Sequence, residues 1–169
     1  MTWVSFEAFR DEQQRIVECV GPAVLMLTDE SADDRPIALM MPDDHIALAG
    51  DGPLDGCFLQ LIMRLRGIPP VPGDDADGFA IVEQTISVID AAGESVIAWE
   101  LQHNTRRGTI GQVRIRARLA GATGDSDGVP DSITLPTGYV PLEEIIRALV
   151  SDFGVLPRVS DWRERLDGA

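Results

Sequence analysis

From Gln112 to Leu119 apolar and charged residues alternate without a break, the period-2 pattern of a strand with one face on a core. Val113, Ile115, Ala117 and Leu119 are expected to point inward, and Arg114, Arg116 and Arg118 outward as a row of guanidinium groups. Residues 5–20 follow a different rhythm. Phe6, Phe9, Ile16, Val17 and Val20 recur at helical spacing, Ser5 is placed to cap the first turn, and Gly21-Pro22 ends the run. Three short strands are expected next, at 23–27, 37–41 and 45–49. The first is a continuous apolar run that reads as a strand buried on both faces.

Gly50-Asp51-Gly52-Pro53 breaks the third strand, and the spacing of Leu54, Cys57, Phe58, Leu61, Ile62 and Leu65 predicts a helix over 53–66, stopped by Gly67. A three-stranded meander follows: 79–90, 95–103 and the arginine-bearing strand. Residues 120–137, rich in Gly, Asp, Ser, Thr and Pro, read as a mobile acidic loop. Leu142, Ile145, Ile146, Leu149, Val150 and Phe153 mark a helix over 141–153. Residues 155–169 read as an extension with a short helix around Trp162. The expected fold is a single α+β domain spanning 1–169, in the order α-βββ-α-βββ-α. Its sheet is mostly antiparallel, with helices packed on one face.

Charge changes the picture of the arginine row. The net charge is −14, and all fourteen basic residues are arginine. An acidic balance argues against general nucleic-acid binding and against an anionic membrane surface. Arg114, Arg116 and Arg118, extended by Arg106 and Arg107 in the preceding turn, are therefore the candidate binding residues. Their planar forks suit an acidic or carboxylate-bearing partner. The plainer reading is that they pair with acids on a neighbouring strand, where Glu83, Glu94 and Glu100 lie.

Other clusters point to no chemistry. Asp43-Asp44-His45 would direct side chains to opposite faces of an extended chain, so it reads as a turn rather than a metal site. His103 near Glu100 has no nucleophile at a recognisable spacing. Asp125-Ser126-Asp127-Gly128-Val129-Pro130-Asp131 has the oxygen spacing with which a calcium loop begins, but Val129 and Pro136 break the pattern. The chain has no lysine for a phosphate loop. No cofactor is expected. Cys19 and Cys57 have no ligand-like spacing and read as free, partly buried thiols. The start, Met1 to Glu7, lacks a signal-peptide pattern, and no apolar run reaches membrane-span length, so the expected location is the cytoplasm.

The opening Thr2-Trp3-Val4-Ser5-Phe6, the amphipathic helix and the apolar hairpins resemble, as topology over residues 1 to about 119, the class I type III secretion chaperones and the YbjN-like domains. The resemblance implies a homodimer that holds a partner segment on helix and sheet surfaces, without chemistry of its own. The expected function is thus a non-catalytic protein-binding domain, chaperone-like or adaptor-like. Two other readings fit the residues: an acidic immunity protein masking a basic toxin, and a small enzyme or binding protein using Glu100, His103 or the arginines on an anionic small molecule.

Overall fold

The computed structural model describes residues 5–28, 36–41, 45–68, 78–104, 108–116 and 132–168. Helix α1 (Phe6–Val17) begins where the sequence caps it: the Ser5 hydroxyl accepts from the Ala8 N–H at 3.1 Å, satisfying one of the free donors of the first turn. Then come β1 (Met26–Leu27), β2 (Ile37–Met40), β3 (Ile46–Ala47), β4 (Phe58–Ile68), β5 (Gly78–Ile89), β6 (Ser95–Asn104), β7 (Gly108–Arg116) and β8 (Ser132–Pro136). Helices α2 (Leu142–Ser151) and α3 (Trp162–Asp167) follow. The strands form one sheet in the order β1-β2-β4-β5-β6-β7-β8, with β3 also on β4, and every described pair is antiparallel. The fold is α+β with a mostly antiparallel sheet.

The element order differs from α-βββ-α-βββ-α at its centre. The helix expected over 53–66 is replaced by strand β4, which pairs with β5 along its length. Both periods fit this stretch. Leu59, Leu61, Met63 and Leu65 are fully buried on one face, while Ile62, Arg64 and Arg66 are exposed on the other. Ile62, an apolar residue facing outward, completes a helical stripe on paper; the long-range ladder with β5 decides for the strand.

Two further expectations change. Within 23–27 only Met26–Leu27 is strand, and it lies at the sheet edge with Val24 and Met26 exposed, so this run is not buried on both faces. Within 120–137, residues 132–136 are strand β8; the remainder up to Asp131, including the candidate calcium loop, lies outside the described residues.

Register sorts the side chains into two faces. One inner row runs Leu61, Ile86, Trp99, Val113, Leu135, and a parallel one Leu59, Val88, Ile97, Ile115, Ile133. Cover fades along each row: Leu61 and Ile86 are buried, Val113 is half-buried, and Leu135 is 47% exposed. Leu142, Ile145, Ile146 and Leu149 of α2, Phe9, Ile16 and Val17 of α1, and Leu166 of α3 join the same core. Each such fully buried aliphatic side chain contributes about 1.5–3 kcal/mol relative to exposure. Arg165 links the last helix to the first, meeting Asp161 at 3.1 Å and Glu18 at 3.8 Å.

Residues 137–141 carry the chain from β8 back towards α2. They cross β7 where Gly111 offers no side chain, and the Thr137 and Gly138 N–H groups both donate to the Gly111 carbonyl, at 3.0 and 3.4 Å. Gln84, buried on the inner face of β5, then donates to the Val140 carbonyl at 2.9 Å.

Candidate functional site on the outer face of the sheet

The second face of the sheet carries the candidate site. Its central row, read across successive strands, is Met26, Met40, Ile62, Thr85, Glu100, Gln112, Pro136. The row is apolar at the β1 end and polar beyond β4. Met26 is 49% and Ile62 45% exposed. Beside them is a shallow hollow of about 90 Å³ lined by Met40, Gln60, Ile62, Thr85 and Ser87. The Ser87 hydroxyl lies 3.5 Å from the Gln60 side-chain carbonyl, at the limit of a hydrogen bond.

The polar half is internally neutralised. Glu100 accepts from Gln112 Nε2 at 2.7 Å and forms an ion pair with Arg114, each partner lying across the pleat on the next strand. In the neighbouring row Arg64 meets Glu83 at 3.1 Å. These are cross-strand pairs between directly or diagonally opposed positions, the arrangement that stabilises an open sheet face.

Of the five candidate arginines, the structure brings Arg114 to this face and places its guanidinium on Glu100, an acid available on the adjoining strand. Arg116 lies in β7 opposite Ser132, its side chain outside the description. Arg106, Arg107 and Arg118 fall outside the described residues. Asp43 and Asp44 are likewise outside, whereas His45 stacks edge-on against Phe58 with centroids 4.7 Å apart. His103 lies on β6, its side chain outside the description. Among the described residues, no three His, Cys, Asp or Glu side chains gather as a metal site would require.

The Met26–Met40–Ile62 row escapes a reading of the sequence alone. Met26 and Met40 sit in short apolar runs whose faces alternate invisibly, and Ile62 fits the helical stripe. The available signal is the alternation from Leu59 to Arg66, in which Ile62 is the apolar residue out of phase.

Both cysteines are buried thiols. Burial is the main cause that pushes the Cys19 thiol up, with the Arg165 guanidinium pulling the other way, so Cys19 is held protonated and weakly nucleophilic. Among the described residues no helix is long and apolar enough to cross a membrane. Compared with known proteins, the chain matches no family model, no curated protein and no solved structure.

Proposed function

We propose that this chain is a non-catalytic protein-binding domain, of chaperone-like or adaptor type, that holds a segment of a partner protein against the outer face of its sheet while the helices cover the opposite face. The observation that carries this reading is the alignment of Met26, Met40 and Ile62 across three strands, with Met26 and Ile62 exposed, Met40 half-buried between them, and a shallow hollow alongside. Methionine suits such a surface: its unbranched, polarisable side chain repacks around different apolar partners at little cost. The Glu100–Arg114–Gln112 group supplies a polar rim whose charges are already balanced, so a partner need not bring a compensating charge to that point. Elsewhere the net charge of −14 favours encounter with a basic protein and disfavours an acidic one. The reading rests on this face rather than on the chaperone resemblance. A reducing cytoplasm is the proposed setting, in keeping with two buried thiols.

Affinity purification from the native host tests the proposal, comparing the parent with a Met26→Glu, Ile62→Glu double variant. Both positions are half exposed, so the variant should fold with its unfolding midpoint nearly unchanged. A defined protein retained by the parent and lost from the double variant is the expected result. Equal retention by both, or no protein retained by the parent, overturns the proposal.

A further inference from the structure

Strand β8 is the last strand of the sheet, and among the described residues nothing pairs with its outer edge. The opposite edge is blunted, since β1 has two residues. Strand β8 is not protected in that way. From Ser132 to Tyr139 the chain has no charged side chain, and Ile133, Leu135 and Tyr139 are 41%, 47% and 49% exposed. Ile133 and Leu135 lie on the inner face, beyond the cover of the helices, in line with the half-buried Ile115 and Val113.

The direction of the free backbone groups follows from the ladder. The Thr137 N–H points at β7, donating to Gly111. By the alternation of an antiparallel strand, the Leu135 and Ile133 N–H groups also face β7, and those of Thr134 and Ser132 face outward. At the remaining outward position stands Pro136, which has no N–H to leave unsatisfied.

We propose that this edge is the contact between two copies of the chain, β8 pairing antiparallel with β8 about a two-fold axis through Thr134. In that register Thr134 both gives and accepts a hydrogen bond with its counterpart, and each Ser132 N–H reaches the carbonyl of the other copy's Pro136. The proline falls where the pairing has a free acceptor to use and a donor it can do without. Ile133 of each copy lies opposite Leu135 of the other, so four apolar side chains close over the inner face. Thr134 meets Thr134 on the outer face, a favourable cross-strand pair. Identical strands achieve this because Ser132–Pro136 is self-complementary about its centre. Two chains of net charge −14 repel, which weakens the association; the uncharged Ser132–Tyr139 strip keeps that opposition small at this edge. The axis stands normal to the sheet, so both outer faces look the same way, and the dimer presents two partner-holding rows side by side. The proposal does not depend on what those rows hold.

The contact is small beside the roughly 1,200 Å² of a stable complex, so dimerisation is weak, with a dissociation constant on the order of 10–100 μM. Sedimentation velocity over a concentration series spanning that range tests it. The parent should pass from monomer to dimer, and raising salt from about 0.05 to about 0.5 M should tighten the association by screening repulsion. Thr134→Pro removes only the outward N–H and leaves the ladder to β7 intact, so it should fold as the parent does and weaken dimerisation about tenfold or more. Leu135→Glu, at a half-exposed position, should do the same independently. A parent that stays monomeric throughout the series, or variants that dimerise as the parent does, would overturn the proposal.

Discussion

Replacing Gly111 by alanine tests the most sharply constrained crossing in the molecule. An added Cβ would overlap the Gly138 carbonyl and lie 2.8 Å from the Gly138 Cα, all backbone atoms that cannot rotate away. The connection must then lift off β7, and the bonds at stake are those from the Thr137 and Gly138 N–H groups to Gly111 and from Gln84 to Val140. Each of the three is worth about 1 kcal/mol net, and forcing atoms into a packed site adds about 1–3 kcal/mol, so the expected loss is about 4–6 kcal/mol. In a chain of this size that corresponds to a fall in melting temperature of roughly 8–24 °C. Urea denaturation followed by tryptophan fluorescence gives the free energy directly. Gly67→Ala is the control, since an added Cβ there meets nothing within 4 Å, and its effect should stay within about 1 kcal/mol. Gly111→Ala as stable as Gly67→Ala would refute the crossing of β7 by residues 137–141.

Tyr139 is the one tyrosine in the chain, so its titration can be followed alone by tyrosinate absorbance. Partial burial of this half-exposed side chain, with the Glu143 carboxylate adding to it, pushes its hydroxyl up to about 12 from the ordinary 10. The folded state therefore holds this proton more tightly than the unfolded one. The linked contribution to stability is intact below pH about 10 and is lost as pH rises towards 12; a native midpoint near 10 would count against it. Arg114→Ser breaks a pair whose arginine side chain is 45% exposed, so it should cost under about 1 kcal/mol, and less at high salt; a loss above 2 kcal/mol would show the pair to be structural. Cys19 and Cys57, both buried, should react with a thiol reagent only as fast as the chain opens, and together on unfolding. Immediate reaction of either in native protein would contradict its burial.

Parts of the fold were legible because local chemistry and tertiary structure agree. Ser5, the stripe from Phe9 to Val17 and the break at Gly21 define α1, and the long alternations with turn residues at 91–94 define β5 and β6. A helix is expected at the centre because residues 54–65 satisfy two periods at once, and only pairing with a strand many residues away separates them. Strand β8 was hidden for another reason: it is five residues long, lies among turn formers and carries a proline that only an edge tolerates. Arg114 was legible as an outward cation with an acid within reach. The Met26–Met40–Ile62 row was not, because a surface assembled from three strands exists only once their register is fixed.

The most direct measurement of the outer-face proposal is photo-crosslinking in the native host from a photoreactive phenylalanine analogue at Thr85, between Ile62 and Glu100 on the central row. Asp51, exposed and in a turn, serves as the comparison site. The expected result is one discrete protein adduct from position 85, absent from position 51 and lost when Met26→Glu and Ile62→Glu are added. No adduct from position 85, or the same adducts from both positions, would contradict the proposal.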